Sequence, residues 1–107
     1  MSVSPSSFSK QPSEIFTIQI DFTKRLSSDE TIATRTVTAL DETTDVSATV
    51  LSGDGVSSDG KSVLIGVKAG TTAHSYKITA KITTNKVTPG STGYAHEADV
   101  TMNVLEE

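Results

Sequence analysis

The histidines and a cluster of carboxylates are the side chains of this sequence that could hold a metal ion or move a proton. His74 and His96 are the two histidines, neither stands at a metal-ligand spacing from the other, and cysteine is absent. Asp41, Glu42 and Asp45 lie between two predicted strands, where paired acids could act as general acid and base if one were buried. Turn chemistry explains them more simply, because Asp in a turn accepts hydrogen bonds from its own backbone.

Two segments of the sequence are weak candidates for binding a cation, and the alternative for each is a purely structural role. His96 is followed by Glu97 and Asp99, and the segment SGDGVSSDG carries Asp54 and Asp59 among glycines. That segment lacks the spaced acids and the terminal glutamate of an EF-hand, so a flexible polar turn is favoured. No G-x-S-x-G motif, Gly-rich phosphate loop or nucleophilic Cys occurs in the sequence. We therefore predict a protein that is not an enzyme, with no cofactor and no small-molecule substrate.

Composition bounds the remaining classes of function. The 107 residues fit one domain, and the absence of cysteine leaves stability to core burial and backbone pairing. A net charge of -4 with a pI near 5.0 provides no basic surface for nucleic acid. No apolar stretch approaches the roughly 20 residues that span a bilayer, and the first residues have no signal-peptide core. We expect a soluble protein made in the cytoplasm.

Apolar and polar residues alternate in several segments, which is the two-residue period of a half-buried strand. The clearest is EIFTIQIDF, where Phe16, Ile18, Ile20 and Phe22 fall on one face. The same period predicts four further strands, with inward residues Val46, Ala48 and Val50; Val63, Ile65 and Val67; Tyr76, Ile78, Ala80 and Ile82; and Ala98, Val100, Met102 and Val104.

One more strand is predicted from residue type, with an irregularity in its period. The run TIATRTVTAL, residues 31–40, is rich in β-branched residues, but Ile32 and Val37 differ in parity. A bulge between Ile32 and Val37 would reconcile them. The glycines of SGDGVSSDG predict a loop or hairpin tip.

These patterns predict an all-β fold of six antiparallel strands, or seven if Val56 or Val87 nucleates another, and they are typical of a sandwich or a barrel. Of these we expect an immunoglobulin-like β-sandwich. No helical period persists for three turns, so helix is limited to a turn near Ser27–Glu30. Residues 1–13 are Ser- and Pro-rich and predict a flexible amino-terminal arm. Residues 14–107 then form the single domain.

Tyr76 lies six residues after Gly70, near the start of the penultimate predicted strand. Sandwich domains often place a tyrosine there whose hydroxyl ties the corner back to upstream backbone. An ordinary inward-facing aromatic is the equal alternative, and both roles are structural.

Several of these residues together resemble a family of small immunoglobulin-like structural proteins of phages and prophages, the fiber-tail adaptor-like family. The matching residues are Lys10, Pro12 and Glu14; Ile20, Asp21 and Phe22; Leu26; Glu30, Thr31 and Ile32; and Gly70, Thr71, Tyr76, Ile78, Ile82, Thr83 and Thr84. The likeness covers most of residues 10–104. The chain departs from the pattern in having one glycine before the late strand and in the SGDGVSSDG insertion.

The resemblance implies a virion structural or adaptor protein that docks other tail, head or fibre subunits. Its partners would be other virion structural proteins, reached by edge-strand pairing and by ordering of the amino-terminal arm. Phe8 and Lys10 are the predicted partner-binding residues, with Phe8 as an apolar anchor. Asp21, Gly70 and Tyr76 are the predicted structural residues.

A bacterial surface or secreted ligand-binding module, for carbohydrate or adhesion, is the alternative function. Such a sandwich needs a platform of exposed aromatic rings. The sequence has five aromatic residues, and after assignment of three to the core, Phe8 and Tyr94 remain.

Overall fold

The alternating segments of the sequence form two β-sheets in the computed structural model, which describes residues 6–26, 29–85 and 94–105. The strands are β1 (Ser6–Lys10), β2 (Phe16–Asp21), β3 (Ile32–Asp41), β4 (Thr44–Asp45), β5 (Leu51–Val56), β6 (Ser62–Val67), β7 (Ser75–Thr84) and β8 (Ala95–Val104). Sheet I has five strands in the order β1-β8-β7-β3-β4, and sheet II has three in the order β2-β6-β5. The prediction of an all-β sandwich is confirmed.

One hydrophobic core joins the inner faces of the two sheets. Ile18 and Ile20 of β2 and Ile65 of β6 are fully buried, and they belong to the same cluster as Ile78 of β7 and Val100 of β8. Burial of each such side chain is worth about 1.5–3 kcal/mol. The inward-facing residues predicted for the first alternating segment and for the last two therefore lie in one interior.

Strand β3 contains the predicted irregularity. Its pairing with β7 shifts register between Ile32 and Thr34, and from Thr34 onward the pairing is regular. The shift moves Val37 and Ala39 onto the inner side, where Ala39 is fully buried.

Strand β1 corrects the prediction that residues 1–13 form a flexible arm. Ser6–Lys10 pair with β8 in parallel, from Ser6 beside Val100 to Lys10 beside Val104. The sheet therefore begins well before residue 14, and sheet I is not wholly antiparallel. With β1 and the two-residue β4, the described chain has eight strands instead of six or seven. Residues 1–5 of the predicted arm lie outside the described residues.

The prediction of a strand over residues 45–51, from the alternation of Val46, Ala48 and Val50, is wrong for most of its length. Ser47–Val50 form a single helical turn, α1, in which Val50 is buried and Ala48 is exposed. The amide of Ser47, the first residue of α1, donates to the Asp45 carboxylate at 2.9 Å, so this local side-chain-to-backbone hydrogen bond outweighs the short alternation of apolar residues. The chain uses this turn to cross from β4 of sheet I to β5 of sheet II.

Strand β5 occupies much of the segment predicted as a loop. Leu51–Val56 pair with β6 and include Gly53 and Gly55, and the extra strand considered at Val56 is present. The helical turn considered near Ser27–Glu30 lies partly outside the described residues, and a 3-10 turn is found instead at Thr23–Arg25. Val87 also lies outside the described residues.

Candidate interaction surfaces and the residues that support them

Lys10 is a buried cation held by backbone carbonyls. Its exposed fraction is 2%, and its Nζ donates to the carbonyls of Gln11 at 2.6 Å, Pro12 at 3.3 Å and Ala69 at 2.5 Å. Burial lowers the pKa of Lys10, and the nearby Glu14 carboxylate opposes that shift. Lys10 therefore joins the turn after β1 to the loop between β6 and β7, which is a structural role.

The same turn contains Pro12 and Glu14, which belong with Lys10 to the resemblance noted in the sequence. Glu14 Oε1 accepts the Gln11 amide at 2.6 Å, and the Glu14 amide donates to the Gln11 carbonyl at 3.1 Å. The side chains of Lys10 and Glu14 thus both hydrogen-bond to the backbone of this turn.

Gly70 and Tyr76 form a corner beside Lys10. The backbone of Gly70 has φ +99°, and an added Cβ would lie 2.7 Å from Val104 Cγ2 and 3.4 Å from the Tyr76 ring. Only glycine satisfies both the positive φ and the close approach. The Thr71 amide donates to the Tyr76 hydroxyl at 2.8 Å, which is the tie to upstream backbone that a tyrosine corner makes.

Phe8 packs inside the sandwich. Its exposed fraction is 7%, and its ring meets Phe16 edge to face with centroids 5.9 Å apart. The structure thus gives both predicted partner-binding residues, Phe8 and Lys10, an internal position where neither offers an exposed surface. Sequence reasoning placed them outside because the segment SSFSK has one apolar residue and no alternation.

Asp21 lies at the opposite end of the molecule from Lys10. Its Oδ1 accepts a hydrogen bond at 2.8 Å from the amide of Thr23, the first residue of the 3-10 turn. Hydrogen bonds from the Thr23 side chain and amide hold the pKa of Asp21 below its ordinary value. The predicted structural residues are therefore split, with Gly70 and Tyr76 at one end and Asp21 at the other.

A buried polar pair at the Asp21 end was missed by the sequence reasoning. Glu30 is 1% exposed, and its Oε2 accepts the Thr84 hydroxyl at 2.5 Å across 54 residues of sequence. Lys61 Nζ donates to the Glu30 carbonyl at 2.8 Å. The signal was available, since Glu30 and Thr84 both belong to the family pattern, but nothing in the sequence indicated that they touch.

The flank of the sandwich between β3 and β5 carries an exposed ion pair. Arg35 Nε lies 2.5 Å from Asp54 Oδ1, and Arg35 Nη2 donates to the Asp54 carbonyl at 3.2 Å. The two side chains are 36% and 34% exposed. Asp54 thus serves as the partner of an arginine from the other sheet, and it lies on the edge strand β5.

The carboxylates Asp41 and Asp45 have different hydrogen-bond partners. Asp45 accepts from the Ser47 amide and hydroxyl, which lowers its pKa, and this agrees with the turn chemistry expected there. Asp41 instead lies 2.9 Å from His74 Nδ1. Within the described residues, no three His, Asp or Glu side chains group as metal ligands, and no helix is long and apolar enough to span a membrane.

A family model described as podophage GP4 fiber-tail adaptor protein gp77 matches residues 10–101. No curated protein and no solved structure matches the chain.

Proposed function

Because the chain belongs to the podophage GP4 fiber-tail adaptor family, we propose that it is a virion protein that docks other tail, head or fibre subunits and catalyses no reaction. The family match, which extends from the Lys10 turn to β8, is the observation that carries the proposal. A phage structural adaptor is made in the infected bacterial cytoplasm and becomes part of the particle. Its acidic net charge of -4 fits protein partners better than nucleic acid.

The strand order supports the immunoglobulin-like topology as part of this proposal. In that fold, the second, fourth and fifth strands share one sheet, and the third, sixth and seventh share the other. Here β2, β5 and β6 form sheet II, while β3, β7 and β8 form the centre of sheet I. Strand β4 is then an extra short strand beside β3, so β5, β6, β7 and β8 correspond to the fourth to seventh strands of that fold. Strand β1 corresponds to its first strand, but it pairs in sheet I.

Docking through sheet edges suits this architecture. The described chain ends sheet I at β1 and at the two-residue β4, and it ends sheet II at β2 and β5. Edge strands present backbone donors and acceptors that another chain can pair with.

The aromatic residues do not favour a carbohydrate-binding module. Phe8, Phe22 and Tyr76 are buried and Phe16 is half-buried, whereas Tyr94 is 42% exposed. One exposed ring does not make a stacking platform.

Mass spectrometry of purified virions tests the proposed function. In the phage that encodes the chain, we expect the protein in the particle at a fixed ratio to the other tail proteins. Deletion should give particles that lack the attached subunit and do not infect, and supply of the chain in trans should restore both. Absence of the chain from wild-type virions, or complete and infectious deletion particles, would overturn the proposal.

A further inference from the structure

Strand β5 is an edge strand of sheet II, and the backbone groups of two of its residues point to that free edge. The Ser57 amide donates to the Ser62 carbonyl at 3.0 Å, and the register from there to Gly53 is regular. Antiparallel pairs alternate between hydrogen-bonded and non-hydrogen-bonded positions. Asp54 and Val56 therefore direct their amides and carbonyls away from β6, toward the edge.

The outer face of the same strand is bare. A Cβ built on Gly53 or on Gly55 would meet no atom within 4 Å, and Gly55 has no positive φ. Glycine inside a strand costs about 0.5–1 kcal/mol relative to alanine, and neither conformation nor crowding within this chain requires it at Gly55. Such a glycine often marks a place where another molecule approaches the backbone closely.

The bare glycines form the floor of a shallow depression of about 330 Å³. Leu64 lies opposite Gly55 on β6 and supplies apolar surface at its side. The other residues that line the depression are Thr17, Ser52, Gly53, Asp54 and Gly66. An aromatic side chain on a neighbouring strand characteristically covers an edge glycine in this way.

Arg35 occupies the edge of β5 in the isolated chain. Its Nη2 donates to the Asp54 carbonyl, which is one of the outward acceptors, while its Nε holds the Asp54 carboxylate. An incoming strand that donates a hydrogen bond to the Asp54 carbonyl displaces the bond from Arg35 Nη2. A carboxylate on the incoming strand, on the side of the sheet that Asp54 faces, would replace it with a stronger charge-assisted bond to Arg35.

From these contacts we propose that β5 is the docking edge, and that it receives an extended segment of another virion protein as a fourth strand of sheet II. The segment carries an aromatic side chain that covers Gly55 and an acidic side chain that binds Arg35. The inference rests on the proposed function and names the partner segment. A second copy of this chain fits poorly, because its exposed aromatic ring, Tyr94, precedes β8, an interior strand of sheet I.

A peptide titration tests the edge directly. The probe is an eight-residue peptide of alternating Tyr and Glu, blocked at both ends and added to isotope-labelled protein in an NMR experiment. We expect the largest amide shifts at Asp54 and Val56, and a weaker complex when Ala replaces Tyr in the peptide. Shifts that centre on β2 or on sheet I would overturn the inference.

The variant Gly55→Thr separates docking from folding. Because the position is open and threonine favours strands, the variant should unfold at the same or higher urea concentration than the wild type. It should nevertheless bind the peptide about tenfold more weakly or worse, a loss of about 1.4 kcal/mol or more. Thr36→Val, an exposed strand position of sheet I, is the matched control and should bind as the wild type does. Equal affinity of Gly55→Thr and wild type would refute the inference.

The same variants supplied in trans to the deletion phage distinguish the two proposals. If even the wild-type chain is absent from virions, the proposed function fails. If the wild type is incorporated and Gly55→Thr is incorporated equally, the adaptor function stands and the β5 inference fails. Loss of Gly55→Thr alone from the particles supports both.

Discussion

Replacement of Tyr76 by phenylalanine isolates one hydrogen bond of the corner between β6 and β7. The ring is 3% exposed, and its hydroxyl accepts the Thr71 amide at 2.8 Å. The variant keeps the buried ring and removes the acceptor. A hydrogen bond is worth about 0.5–1.5 kcal/mol net, and an amide left without a partner in a partly buried site costs about 1–3 kcal/mol. We expect a loss of about 1.5 kcal/mol in the free energy of unfolding.

Urea unfolding followed by circular dichroism measures this loss, with the slope m expected to stay constant. For a domain of this size, the loss corresponds to a fall in melting temperature of about 6–12 °C. Tyr94→Phe is the matched control, because Tyr94 is the other tyrosine and is 42% exposed. The reasoning is refuted if Tyr76→Phe loses less than about 0.3 kcal/mol, or no more than Tyr94→Phe, since the bond would then contribute nothing.

Substitutions of Lys10, Gly70 and Asp21 test these supporting residues by the same urea method, with Gly55 as a control position. Lys10→Met leaves three carbonyls without their charged donor and should cost about 2–4 kcal/mol; a loss below about 0.5 kcal/mol would contradict the structural role of the amine. Gly70→Ala adds a Cβ against Val104 at a positive φ and should cost about 1–3 kcal/mol, whereas Gly55→Ala should be neutral or stabilising. Because folding lowers the pKa of Asp21, its stabilising effect is present above about pH 4 and is lost as the pH falls through the lowered value. Asp21→Asn should therefore lose less stability than the wild type on acidification, and an unchanged pH profile would contradict this.

The sequence predicted those elements that carry a long alternation. β2, β7 and β8 each set at least three large apolar residues on one face, and a slip of one residue would expose all of them. The bulge in β3 was also predictable, because Ile32 and Val37 could not otherwise share a face. Local pattern and tertiary structure agree in these strands.

The elements that were mispredicted depend on distant partners. Strand β1 has a single apolar residue, Phe8, and exists because β8 lies beside it some 90 positions later in the chain. Strand β5 contains two glycines that predict a turn, yet pairing with β6 holds them extended. In each case a non-local partner overrode the local signal.

The interaction surface was only partly predictable for the same reason. Edge-strand pairing follows from any sandwich, but which edge is open depends on the strand order. Arg35 and Asp54 are 19 residues apart and belong to different sheets, so no spacing in the sequence indicated their contact. Phe8 was predicted at the surface because its burial requires β1, which the sequence did not predict.

The pairing of β1 with β8 has a consequence for how the protein is made. Strand β1 is synthesised before every other strand of sheet I, but its neighbour β8 is the last strand of that sheet to leave the ribosome. Until then Phe8 lacks its binding site on the sheet, and Leu105 has yet to donate its amide to the Lys10 carbonyl at 2.8 Å. Folding of this domain must therefore finish after translation of β8, as a slow, non-local closure whose rate reflects its high contact order.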